Sequence, residues 1–263
     1  MGRLSLRVLA IGYVAVLVAA PTGSILWRAL SSGLAAAWAA VTTASALHAL
    51  GLTLLAVLIA VPLNAAFGMV IAILIARHPS WFTRILTPLV DLPLALSPVV
   101  VGLAILLAYG QTGWVGSWLV QHGIELIFAW PGIVLACAFV SLPYVVREVL
   151  PVLEEVGVDQ EEAATSLGAG PWSVFWRVTL PSARVGLAYG VSLTAARVLG
   201  EIGAVTVVSG DIEDHTQTMT LLIQDQYNNF QHVAAYAGAV VLALICLLVF
   251  SGLTLVRRRA ALT

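Results

Sequence analysis

The sequence predicts an all-α membrane protein with six transmembrane helices. Three observations carry that prediction. Sixty percent of the 263 residues are hydrophobic and 10% are charged, with a mean hydropathy of +1.01, whereas a soluble domain carries about 25% charged residues. Six apolar runs reach the roughly 20 residues that a helix needs to cross a bilayer core. The arginines fall between those runs so that nearly all can share one side. So few charges cannot cover a soluble surface, and so much apolar sequence excludes disorder. A formal net charge of −1 excludes nucleic-acid binding by bulk electrostatics.

The runs follow in order. The first spans about Leu6 to Trp27, behind Arg3 and Arg7. Its Ala19-Ala20 pair imitates a signal-peptide cleavage site. Pro21 directly after it, and the length of the run, favour a retained span. A linker to residue 45 leads to the second run, about Ala46 to Ala76. The third, about Ile85 to Tyr109, contains Pro93 and Pro98, which are expected to break and kink it. Broken backbone at membrane depth is tolerated where it is buried in protein or lines a cavity. The fourth covers about Leu126 to Val146, the fifth Ala183 to Val208 and the sixth Val233 to Val256, with a tail at 257–263. Residues 209–232 carry Asp211, Glu213, Asp214 and Asp225 but no Arg, and read as a solvated acidic outer loop. Trp27, Trp81 and Trp114 lie near predicted interfaces, where indoles are favoured.

With the N-terminus inside, Arg3, Arg7, Arg77, Arg84, Arg147, Arg177, Arg184 and Arg257 to Arg259 all face the cytoplasm. Only Arg28 is outside, and Arg197 is within a span. The positive-inside rule therefore places both termini in the cytoplasm. All twelve basic residues are Arg, so lysine chemistry and a Walker A site are excluded. Any ATP must be bound by another chain. Cys137 and Cys246 sit in apolar runs and form neither a disulfide framework nor a metal site. His48, His78, His122, His215 and His232 are scattered without metal-ligand spacing.

The loop between the fourth and fifth runs, about 147–184, is the most informative stretch. Asp159 to Glu162, Glu161 included, place negative charge where a helix N-terminus favours it. Ala163 and Ala164 form helix with little bulk, so another surface can approach closely. Gly168 suits the turn that ends a helix. Pro171 can open a second short helix and Pro181 the fifth span. The expectation is a compact helix–turn–helix, not a slack linker.

The spacing of Glu162-Ala163-Ala164, Gly168, Val178 and Leu180-Pro181 resembles the signature of permease subunits of type I ATP-binding-cassette importers, with Val where Ile is commoner. Three further stretches are similar to sulfate-importer permeases of the cysteine-biosynthesis type, W-type subunit. They are Asp91-Leu92-Pro93 with Ser97-Pro98 through Leu103; Trp130-Pro131-Gly132 with Pro143 through Glu148; and Gly200-Glu201-Ile202-Gly203-Ala204-Val205 through Gly210. That family usually has Phe where Ile202 stands. Molybdate and tungstate permeases share the third stretch. The resemblance covers about Ala46 to Val256 and implies the type I importer transmembrane fold shared with methionine importers. It implies a bacterial inner-membrane subunit that works by alternating access and catalyses nothing itself. The implied partners are a second, related permease, two ATPase subunits that bind ATP and Mg, and an external sulfate-binding protein. In the family this loop helix docks in a groove of the ATPase. A secondary transporter or channel is the rival of another class, and an intramembrane enzyme a third; no catalytic constellation supports the latter.

Within the spans, Asp91, Arg197 and Glu201 are the conspicuous ionisable groups. Such residues are costly in hydrocarbon and face protein or water. Arg197 and Glu201 stand four apart and share one helix face. Two readings stay open: Arg197 paired with Glu201 or Asp91 to fix packing, or these charges, with Ser97 and Pro98, lining or gating an anion path.

Overall fold

The computed structural model describes residues 3–262, and these are helical with no strand among them. In chain order, α1 (Arg3–Val14) continues through a π turn (Ala15–Ala19) into α2 (Ala20–Leu30), followed by α3 (Leu34–Val41) and the long α4 (Ala44–Arg77). Next come α5 (Trp81–Ala95), α6 (Pro98–Tyr109), α7 (Gly116–Gln121) and α8 (Trp130–Val156). Then α9 (Asp159–Ser166) precedes α10 (Pro171–Val174), a π turn (Phe175–Thr179) and α11 (Leu180–Leu199). The chain ends with α12 (Gly203–Ser209), α13 (Met219–Asn228) and α14 (His232–Leu262).

Among the described residues, four helices are long and apolar enough to cross a membrane: Leu9–Leu30, Ala44–Arg77, Trp130–Val156 and His232–Gly252. Two bent pairs, α5 with α6 at 114° and Pro171–Leu199 with α12 at 57°, bring the number to six when each pair is counted as one span. The third span is broken as expected, but at Leu96-Ser97. Pro93 stays inside α5, while Pro98 opens α6 and holds Ser97 extended (φ −63°, ψ 137°).

The break in the fifth span was not expected from sequence. It falls at Gly200–Ile202 because other groups satisfy the freed backbone. Glu201 Oε1 accepts the Ala204 N–H (2.9 Å), and Thr220 Oγ1 donates to the Glu201 carbonyl (2.9 Å). A break at membrane depth requires such partners.

Other boundaries move for local reasons. The fourth span starts at Trp130 rather than Leu126, since Phe128 takes a positive φ of 61° and Pro131 suits a first turn. It runs to Val156, so the expected loop shrinks. No second short helix stands apart: α10, the π turn and α11 form one continuous helix. In the π turn the Leu180 N–H reaches back five residues to the Phe175 carbonyl. That wider turn accommodates Pro181, whose ring crowds the preceding turn. The linker before residue 45 contains α3, and α14 continues through the expected tail to Leu262. Residues 216–222 of the expected acidic loop are largely buried: Thr216, Gln217, Thr218, Met219, Leu221 and Leu222 are inside. The Met219 N–H donates to Thr53 Oγ1 of α4 (2.9 Å).

α8 is the central post, packed along α4 and α11. Ile133, Val145, Val149 and Leu153 of α8 are fully buried. Small residues set the spacing. A Cβ on Gly190 would lie 2.8 Å from Val145 Cα, so α8 and α11 approach backbone to backbone, as membrane helices do when packing replaces the hydrophobic drive.

Candidate functional site

Two regions gather the sequence-predicted residues. The first is the face built by α9. Asp159, Glu161 and Glu162 occupy its first turn, where the macrodipole favours acids. Its end is a Schellman turn: Gly168 N–H donates to Thr165 O (2.9 Å) and Ala169 N–H to Ala164 O (3.1 Å). Gly168 sits at φ +87°, a conformation that any other residue would strain to adopt. Glu162, Ala163 and Leu167 are exposed, Leu167 at 90%, and Ala164 is half-buried. Val178 is half-buried in the π turn. Leu180 packs on the cluster of Val145, Val149 and Leu153, and Pro181 is exposed in the first turn of α11. Glu161 instead turns inward to Arg77 and Thr179.

The second region is where the broken spans meet. Pro98 of α6 stands against Gly203 of α12: a Cβ on Gly203 would lie 2.9 Å from Pro98 Cβ, and one on Gly102 2.8 Å from Ala204 O. Ser97 is the exposed N-cap residue of α6. Arg197 Nη1 lies 2.7 Å from Glu201 Oε2, an ion pair without an aligned hydrogen bond. The Glu201 side chain is 1% exposed and that of Arg197 27%. Asp91 does not join them. It accepts from Arg147 Nε at 2.8 Å, where Arg147 is exposed and Asp91 half-buried. The reason is position: Asp91 lies on α5, before the break, level with the α8 turn that bears Arg147. Of the two candidate partners for Arg197, Glu201 holds it.

Sequence reasoning missed three features. Arg77 served only to orient the chain, yet it holds α9; its partner lies 84 residues away, which no local spacing reveals. Thr179 was only an unassigned residue inside the signature. Asn64, inside the second apolar run, donates to Ser141 Oγ (2.8 Å) and to the Ala138 carbonyl (3.0 Å), joining α4 to α8. Thr194 Oγ1 extends this chain from α11 to the Ser141 carbonyl (3.5 Å). An amide in the middle of an apolar run is a readable signal of such an interhelical bond.

The chain is 46% identical over 237 residues to the sulfate transport system permease protein CysW of Synechocystis sp., covering 90% of this chain and 86% of that protein. It is 36% identical over 247 residues to the sulfate transport system permease protein CysT of Escherichia coli, covering 94% and 89%. A bacterial alginate ABC transporter, solved in complex with its alginate pentasaccharide-bound periplasmic protein, contains a chain of the same fold. The TM-score is 0.80 at 15% identity, covering 97% of this chain and 93% of that one. The family model described as binding-protein-dependent transport system inner membrane component matches residues 68–262, and the chain belongs to that family.

Proposed function

We propose that this chain is a membrane permease subunit of an ATP-driven sulfate importer. The observation that carries the reading is the rigid α9 face, ended by the Gly168 turn and leaving Glu162, Ala163 and Leu167 outward. Such a face is fit to receive force from an ATPase. The names of the sulfate relatives supply the anion. The chain sits with α9 and both termini in the cytoplasm, as its arginines direct.

It pairs with a second, related permease. Two ATPase subunits, which hold the ATP and Mg, dock on the α9 faces, and an external binding protein delivers the anion. Closure of the ATPase dimer draws the α9 helices together and opens the permeases outward; hydrolysis releases the anion inward. Glu201 neutralises Arg197, so Arg197 offers no free guanidinium that would retain a divalent oxyanion. Selection then belongs to the binding protein. The test is uptake by vesicles holding the complete complex, with sulfate, thiosulfate, molybdate and tungstate compared. Uptake confined to molybdate and tungstate would reassign the cargo. Uptake without ATP would overturn the importer.

A further inference from the structure

The attachment of α9 to the spans converges on one charge pair. Arg77 is the last residue of α4. Its Nε donates to Glu161 Oε2 at 3.0 Å and its Nη2 to Glu161 Oε1 at 3.2 Å. Its Nη1 donates to the Leu153 carbonyl at 3.0 Å, in the last turn of α8. That carbonyl also accepts the Gly157 N–H (3.2 Å), where α8 ends and the turn into α9 begins. From the other side Thr179 Oγ1, in the π turn that enters α11, donates to Glu161 Oε1 at 2.8 Å. The Arg77 side chain is 9% exposed and that of Glu161 19%. α9 itself contains no buried residue, so apolar packing does little to hold it.

We propose that the Arg77–Glu161 pair is the stiff joint that delivers displacement of α9 to the second, fourth and fifth spans together. Arg77 and Glu161 are positioning residues, distinct from the exposed groups that meet the ATPase. This rests on the chain being an ATP-driven permease. The geometry fits the task. A planar, two-pronged guanidinium–carboxylate contact resists both rotation and sliding, which one hydrogen bond does not. Low exposure reduces screening by salt and water. The four groups meeting there come from α4, α8, α9 and the π turn that enters α11, so a push on α9 cannot move one span alone. Neighbours divide the work: Glu161 holds the helix from beneath while Glu162 faces outward.

The experiment counts ATP hydrolysed per sulfate taken up. The complete complex is reconstituted in proteoliposomes with its binding protein, and phosphate release and labelled sulfate uptake are followed together. Glu161→Gln removes the charge but keeps the shape, and Thr179→Val removes a single bond. A loose joint lets hydrolysis continue while transport fails. The ratio is expected to rise about tenfold or more in Glu161→Gln and about threefold in Thr179→Val. A merely structural role lowers both rates together and leaves the ratio unchanged. An unchanged ratio in an assembled Glu161→Gln complex overturns the proposal. Where that variant does not assemble, an unchanged ratio in Thr179→Val overturns it. A wild-type complex without ATP-driven sulfate uptake overturns the functional reading, and the joint with it.

Discussion

Removing Glu201 tests the break in the fifth span most directly. Its carboxylate is 1% exposed, lies 2.7 Å from Arg197 and accepts the Ala204 N–H. Glu201→Ala strands a guanidinium and uncaps α12. Losing one partner of a buried pair costs about 3–5 kcal/mol. Arg197 keeps 27% exposure, which puts its stranding at the lower end, about 3 kcal/mol. The lost cap adds about 1 kcal/mol. A total of about 4 kcal/mol lowers the apparent melting temperature by about 8–16 °C, at roughly 2–4 °C per kcal/mol. Arg197→Ala strands the more deeply buried carboxylate and costs about 4–5 kcal/mol. Glu201→Gln keeps the acceptor for Ala204 and loses only the charge, about 3 kcal/mol. Arg197→Ala with Glu201→Gln removes both charges and retains the cap, at about 1–2 kcal/mol. The double-mutant cycle, read by thermal stability in detergent, therefore gives a coupling of several kcal/mol. A double variant as unstable as the sum of its singles refutes the argument. Uptake then separates the two roles of the pair: its return in the double variant makes the pair structural, and assembly without uptake places Arg197 in the anion path.

Glu162→Lys reverses an exposed charge on α9 and is expected to abolish uptake and weaken ATPase co-purification while leaving thermal stability within about 0.5 kcal/mol. Gly168→Leu forces a side chain to φ +87°; it is expected to cost about 1–2 kcal/mol and to lose uptake by displacing the α9 face. Reporter fusions near Arg84, Glu155 and Arg258 are expected to report cytoplasm, and those near Ser32, Gln121 and Asp214 the outside; a cytoplasmic signal at Asp214 contradicts the six-span topology. Asn64→Leu removes the bonds to Ser141 and Ala138 and is expected to cost about 0.6–1.7 kcal/mol, checked by thermal stability and by an unchanged oligomeric state.

What the sequence reveals and what it hides divide along physical lines. Apolar runs report burial in lipid directly, so the six crossings are legible, including the one broken at a proline. The α9 face is legible because its determinants are local: acids in a first turn, and a glycine at the position that ends the helix. The Arg197–Glu201 pair is legible from the spacing of four, but the expected shared helix face is not what joins them: α11 ends at Leu199 and Glu201 reaches back to Arg197 from the break. The break at Gly200 is not, because what stabilises it, Thr220 on the carbonyl of Glu201, comes from a distant element. α13 hides for a similar reason. Its buried face is only Met219, Leu221 and Leu222 in an otherwise polar stretch, and Thr53 of α4 receives its first N–H. Arg77 reads as a topology marker because nothing near it in sequence names Glu161.

The meeting of α6 and α12 also bears on how the chain is made. α6 has twelve residues, about 18 Å of helix, well short of the roughly 30 Å hydrocarbon core. The 114° bend denies it the length of α5. Its natural support is α12, packed against Gly102. A chain synthesised from its N-terminus produces Pro98 about a hundred residues before Gly203. During insertion α6 is therefore expected to lack its packing partner until the fifth span is made. Nascent chains arrested before Gly203 are expected to leave 98–109 open to aqueous thiol reagents on introduced cysteines, and chains arrested beyond Gly210 to protect them.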